Sequence, residues 1–300
     1  MFNAKVYFGY VKVSKNYRLR HMKKTTILLA LILLNTIIYS CSSDDNPEPQ
    51  ETEPTENRLV KTEKISDTRK VDYVYNNNDL LSGGTGIFNS FGFIFNFSYD
   101  ATNKITEWNH QETGSGTFSS NTFFTYDNSG NLISYDAVNL TYNGNIITVT
   151  GTIGGNQNAT IFLEKNFNGL ITKLTENDNY TIFEYNSDGN LIVAKNYNNS
   201  NVLLSTFNIN YDQKLNPFYG QLASIYVERF IEFFYPFDGI YISGFEGYSF
   251  PFIKNNITSI SENNIELTTY NYTYDTENYP LHIIGNSSTD TIEFDIEYYE

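Results

Sequence analysis

Apolar and polar residues alternate along this chain in short bursts that close on one recurring signature. In "FTYDNSGNLISY" (Phe124 to Tyr135), an apolar residue, a polar one and a tyrosine precede an aspartate, a small polar loop and then Leu-Ile. Aligned on that tyrosine, the seven clearest copies stand at Tyr75, Tyr99, Tyr126, Tyr142, Tyr185, Tyr211 and Tyr274. The residue two before is apolar in each (Tyr73, Phe97, Phe124, Leu140, Phe183, Ile209 and Tyr272), and the one between is polar in all but one, Val74. A period of two is that of a strand with one buried face, and Tyr and Phe suit a pleated, half-buried surface.

The residue after the tyrosine is Asp or Asn in every copy: Asn76, Asp100, Asp127, Asn143, Asn186, Asp212 and Asp275. Such a side chain accepts a hydrogen bond from the backbone two residues on and closes an Asx turn. Gly130, Gly189 and Asn103 then supply the positive φ that reverses the chain. The shortest copy, Asn143 with Gly144, carries a type I′ hairpin signal. The return strands open on apolar pairs such as Leu80-Leu81, Leu132-Ile133, Ile146-Ile147 and Leu191-Ile192, and a degenerate copy, "KNFNGLITKL" from Lys165, adds Leu170-Ile171. Each copy reads as a hairpin. The expectation is an all-β antiparallel meander of repeated hairpins, curled or barrel-like.

One stretch breaks the period. In "GQLASIYVERFIEFFYPF", Leu222, Ile225, Tyr226, Phe230, Phe233 and Phe234 recur three or four apart, with Glu228, Arg229 and Glu232 on another side. This predicts one short amphipathic helix near 219–234, opened after Pro217 and stopped before Pro236, with Phe230 and Phe233 on the sheet and Glu228 in water. The aromatic, Gly-rich "DGIYISGFEGYSFPF" beyond it reads as an irregular covering loop. Residues 59–300 show no second boundary, a length at which all-β barrels and sandwiches still form one domain.

The first 58 residues are of another kind. "MKKTTILLALILLNTIIYS", Met22 to Ser40, has the charge and length pattern of a signal peptide. Residues 1–21 form an extension before it, and translation is expected to start at Met22. The sole cysteine, Cys41, stands where this leader ends, so no disulfide framework exists. Residues 42–58, "SSDDNPEPQETEPTENR", hold six acids and three prolines with almost nothing apolar, and read as a disordered tether.

Charge narrows the partners. The 300-residue chain carries a formal charge of −15; its first 40 residues contribute seven Lys and Arg and no acid, leaving 12 basic groups against 34 acids, a net −22. Phosphate binding needs clustered cations, so nucleic acid is excluded as a partner. Calcium, cationic partners or simple solubility fit better.

Catalytic apparatus is scarce. After the leader only His110 and His282 remain as histidines, and no nucleophile elbow, phosphate loop or zinc spacing occurs. Both histidines read as ordinary strand or loop residues, and no metal or other cofactor is expected. "DNSGN" and "NSDGN" have the start of a calcium loop without its closing carboxylate, so turn chemistry is favoured. Most of the plentiful acids, among them Asp127, Asp188, Asp212 and Asp275, sit in turns. Trp108, the single Trp, stands near Glu107 and His110; it is either core or a platform on which a sugar ring could stack.

Two resemblances add to this reading. "IIYSCSSDD" resembles a bacterial lipobox, at which the cysteine becomes the lipidated first residue; Ser40 fits the small residue before the cut, while Ile38 and Tyr39 depart from the commoner choices. That resemblance implies a membrane partner through lipid on Cys41, and the Ser and Asp that follow resemble the export signal that sends Bacteroidetes lipoproteins to the outer face of the outer membrane. "YDNSGNL" and "YNSDGNL" resemble the YD repeats of RHS-type shell proteins. With "YDQKLNPFYG", "KNNITSI" and "YDTENYPLHI", the wider layout resembles an uncharacterised Bacteroidetes lipoprotein family with a porin-like β-domain over roughly residues 60–300. It implies a curled antiparallel meander and no activity. Two functional classes follow: a lipid-anchored envelope protein that binds an extracellular glycan or protein or plays a structural role, or a hydrolase on a β scaffold using two facing carboxylates.

Overall fold

The computed structural model describes residues 58–114, 116–235, 237–239 and 250–300. The leader, Cys41, the tether up to residue 57 and most of the loop expected after the helix lie outside the described residues; Arg58, read as the end of the tether, is instead held by Asp275.

Eighteen strands form a closed antiparallel barrel. In chain order they are β1 (Val60–Ser66), β2 (Arg69–Tyr75), β3 (Leu81–Phe88), β4 (Phe91–Tyr99), β5 (Ile105–Thr113), β6 (Thr117–Tyr126), β7 (Leu132–Tyr135), β8 (Val138–Asn143) and β9 (Ile146–Ile153). There follow β10 (Asn156–Lys165), β11 (Ile171–Glu176), β12 (Asn179–Tyr185), β13 (Leu191–Tyr197), β14 (Leu203–Leu215), β15 (Asn255–Glu262), β16 (Ile265–Tyr274), β17 (Pro280–Ser287) and β18 (Thr291–Tyr298). Each strand pairs with its sequence neighbours, and β1 closes the ring on β18 through Glu63↔Ile296 and Lys64↔Asp295. Closure removes the two free edges that an open sheet would carry.

Alternation sets two faces of opposite character. Phe183, Ala194, Phe207 and Ile209 point inward and are buried. Between them, Glu184, Lys195, Asn208 and Asn210 point out. Among the described residues the outer face carries isolated apolar side chains such as Ile94 and Phe162, but no continuous apolar band. A transmembrane barrel has the reverse polarity, with lipid-facing apolar residues and a polar lumen.

The lumen holds a plug. Between β14 and β15 the chain leaves the wall at Asn216, makes a 3₁₀ turn over Ala223–Ile225 and continues as α1 (Tyr226–Phe234). From this one segment Gln221 reaches β3, Ser224 reaches β5, Tyr226 reaches β11, Phe230 meets Phe183 of β12 edge-on, and Phe237 meets Phe207 of β14 in the same way. Strands so far apart around the ring can be touched together only from inside it. A void of about 10 Å³ between this plug and the wall leaves barely room for one water.

The helix lies within the expected span and is shorter, and its surroundings differ from the expectation. Phe230 is buried and Phe233 half-buried, but Glu228 is only 3% exposed and paired to Arg229. A helix lying on a sheet has a solvated side, whereas a helix inside a barrel has none.

Candidate functional site

The repeat residues gather at one rim of the barrel. The Oδ1 of Asp100 accepts from the N–H of Thr102 and Lys104, that of Asp127 from Ser129 and Asn131, that of Asn186 from Asp188 and Asn190, and that of Asp275 from Glu277 and Tyr279. Gly130 and Gly189 stand at φ 86° and 83°, and Asn103 at 63°. The Oδ1 atoms of these turns are thus engaged by the turn's own amides. These bonds favour the carboxylate and hold Asp127 and Asp100 below the usual aspartate range, led by the Asn131 side chain for the first and the Lys104 amide for the second.

Two copies depart from the pattern. Asn143 pairs with Ile146, so Gly144 and Asn145 form the turn, and only Gly144, at φ 60°, is left-handed. That is the type II′ pattern, not the expected I′, because Asn145 keeps a negative φ. Asp212 closes no hairpin. β14 runs on to Leu215, and Asp212 instead accepts from the amides of Lys214 and Asn256 and from the Tyr274 hydroxyl, fixing the point where the chain enters and leaves the lumen.

The signature tyrosine has a role beyond packing. Opposite Val74, Ser98, Thr125, Glu184 and Thr273 the return strand holds one extra residue, a β-bulge. It leaves the N–H and C=O of the first return residue outside the local ladder. The tyrosine of the next copy donates to that carbonyl: Tyr99 to Leu81, Tyr126 to Ile105, Tyr185 to Ile171 and Tyr211 to Leu191, at 2.6–2.7 Å. The plug takes the matching amides. Leu81 N–H donates to Gln221 Oε1, Ile105 N–H to Ser224 Oγ and Ile171 N–H to the Tyr226 hydroxyl. Burial pushes Tyr126 and Tyr142 up to about 12 and Tyr211 further, so these hydroxyls stay protonated donors. No pattern of apolar and polar residues announces this stitching; the invariant choice of Tyr over Phe was the available signal.

Chemistry-bearing side chains inside the barrel meet between α1 and β5. Arg229 and Glu228, both under 5% exposed, form a bidentate pair. Arg229 also covers the face of Trp108, with its guanidinium carbon 4.4 Å from the ring centroid. Trp108 faces the lumen beside Phe97 and is no open platform for a sugar. Burial raises the Glu228 carboxyl, Arg229 opposes this, and Glu232 and Asp136 add to the rise. One strand position further toward the other rim, His110 Nε2 lies 2.9 Å from Glu112 Oε1. Glu228 and Glu112 thus each have a basic neighbour, while the buried Glu63 of β1 accepts from the Tyr73 hydroxyl. Glu107 points outward and accepts from Asn121.

The other histidine is on the outer wall. His282 lies 2.7 Å from Asp295 and 3.2 Å from Glu293, beside a surface depression of about 410 Å³ that Lys64 and Arg69 also line. Among the described residues no group of three His, Cys, Asp or Glu is placed to hold a metal ion.

No protein-family model matches the chain, and no curated protein is similar to it in sequence. Among solved structures it is similar to a porin-like protein from Bacteroides uniformis, at 11% identity and a TM-score of 0.34, over 80% of this chain and 98% of that one. A porin-like protein from Bacteroides vulgatus gives 11% identity and a TM-score of 0.31, over 81% and 99%. A Photorhabdus luminescens Tc holotoxin pore structure gives 14% and 0.20, over 76% of this chain and 9% of that one. With TM-scores this low, the closed barrel rests on its own strand pairings.

Proposed function

We propose that this chain is a lipid-anchored cell-envelope protein whose barrel is a sealed scaffold standing in water, with a binding or structural role and no channel. The observation that carries the reading is the polarity of the wall. Apolar rings line a lumen plugged by α1 and its flanks, and Glu, Lys, Asn and Thr face outward, so the barrel has neither a lipid-facing band nor a water path. Membrane attachment then falls to Cys41. Two or more acyl chains anchor stably where one is marginal, each buried CH₂ contributing about 0.8 kcal/mol. The Ser and Asp after Cys41 favour display on the outer face of the outer membrane.

The test is fractionation of cells expressing the full chain. Wild type is expected in the membrane fraction, acylated, and cut within residues 42–57 by protease added to intact cells, while Cys41→Ser is released with its barrel folded. Purified protein is expected to give no conductance in planar bilayers. An unlabelled Cys41 after feeding an acyl donor refutes the anchor, resistance to protease on intact cells refutes surface display, and steady single-channel currents refute the sealed barrel.

A further inference from the structure

We propose that the free edge of β6 is a docking site for an extended, basic peptide segment, which joins the barrel wall as an added antiparallel strand. β7 and β8 form a hairpin so short that the β6–β7 ladder begins only at Phe124↔Tyr135. The seven residues Thr117 to Phe123 pair with β5 on one side, from Thr113↔Thr117 to Glu107↔Phe123. Among the described residues no strand pairs with them on the other.

The direction of the free groups follows from the hairpin. Its two-residue turn makes Tyr135 and Val138 the closing hydrogen-bonded pair, so Ser134 directs its N–H and C=O at Thr125. Counting back by two, Phe123, Asn121, Ser119 and Thr117 present theirs to the empty side. A regular strand edge is a template for another strand, and proteins ordinarily blunt it with Lys, Pro or a bulge. None is present. There is no Lys, Arg or Pro anywhere from Ile105 to Glu164, and the β5–β6 ladder is unbroken.

What the edge offers beside its backbone selects the occupant. Phe118 is 52% exposed on the lumen face of the strand and Phe123 60% exposed on the outer face, so apolar side chains of an added strand find a ring on either side. Asp136 lies at the base of the gap, 3.2 Å from Thr122 Oγ1, and Glu107 stands on the outer face. With no cation in this stretch, the charge that complements it is positive. A second copy of the chain would bring the same acids to the same edge. The mode is strand addition, in which main-chain bonds give affinity and side chains give specificity.

This deepens the binding role proposed above and is independent of the anchor, since the peptide result does not depend on Cys41. The probe is a synthetic peptide, acetyl-Lys-Val-Lys-Val-Thr-Val-Lys-amide, titrated into the full chain carrying Cys41→Ser and followed by calorimetry and by the emission of Trp108, which pairs across to Thr122. Saturable one-to-one binding is expected, weakening with salt. Ser119→Pro removes an outward N–H while sparing the ladder to β5, and should weaken binding about tenfold. Asp136→Asn should weaken it about threefold and flatten the salt dependence. The same peptide N-methylated at alternate residues should not bind. No binding of the probe, equal binding of the methylated peptide, or equal binding by Ser119→Pro with an unchanged melting temperature would each overturn the proposal, as would salt-independent self-association of the chain at this edge.

Discussion

The two rims of the barrel are built from the same strands and differ in how their backbone is satisfied. At the rim carrying the signature tyrosines, turns repeat one plan: an Asx oxygen takes two amides, a residue of positive φ reverses the chain, and a tyrosine and a plug side chain take the carbonyl and amide freed by the bulge. The described chain also begins there, where Arg58 pairs with Asp275 and stacks on Tyr298. At the opposite rim the turns are of several kinds, β7 stops after four residues, and the β5–β6 hairpin stands past its neighbour with backbone groups unpaired. Repetition in the sequence marks where the chain closes its own hydrogen bonds. Surface that can accept a partner lies where the repetition fails.

The largest effect should come from the plug, which joins the first rim to the middle of the lumen. Removing Phe230, packed edge-on against Phe183 and Tyr226, should cost about 3–5 kcal/mol in Phe230→Ala. Glu228→Ala should cost a similar 3–5 kcal/mol, roughly, because it removes the buried carboxylate that holds the Arg229 guanidinium in a bidentate pair. Urea unfolding of the two variants checks this. A Glu228→Ala change within about 0.5 kcal/mol of wild type, the value for a solvated surface site, would remove α1 from the lumen and with it the sealed barrel.

A conservative change made at both rims sharpens the contrast. Tyr211→Phe deletes a buried donor and leaves the Leu191 carbonyl without it, at a cost of about 1–3 kcal/mol. Tyr180→Phe, whose hydroxyl meets Asn201 at the exposed end of the wall, should stay within about 0.5 kcal/mol. Thermal melts with parallel hydrogen exchange at Leu191 separate the two. Equal melting temperatures would mean that the tyrosines pack but do not stitch.

How much of this was legible follows from how local each interaction is. The Asx turns are written within five residues, so Asp127 with Gly130 and Asn186 with Gly189 could be read from their spacing. Asp212 carries the same letters and does something else, because the plug follows it and its partners, Asn256 and Tyr274, lie far along the chain. The helix was visible in its own periodicity. The fate of Glu228 was not, since the sequence of a helix does not say whether the side away from the sheet meets water or a second wall. Closure likewise depends on the pairing of β1 with β18, the first strand with the last. Trp108 became interpretable only once Arg229 was seen over its ring.

The smallest effect is a pH dependence from two aspartates of the turn rim. Asp100 and Asp127 are held below the unfolded aspartate value by the amides and side chains they accept from, so their folded-state pKa is depressed. A depressed carboxyl contributes stability that is present above the unfolded pKa, near about 4, and is lost as the pH falls through the folded value. Asn performs the same turn at Asn76, Asn166 and Asn186 of this rim, and at Asn198 of the other, without titrating. The double variant Asp100→Asn with Asp127→Asn should therefore keep the barrel and lose less melting temperature than wild type between about pH 5 and pH 2.5. Both side chains are solvent-exposed, so the difference should be small and should shrink further in high salt. Melts at the two pH values, at low and high salt, decide it. A variant whose acid slope equals that of wild type would show that these carboxylates close their turns as neutral acceptors do, and that the Asp and Asn copies of the repeat are interchangeable in charge as well as in shape.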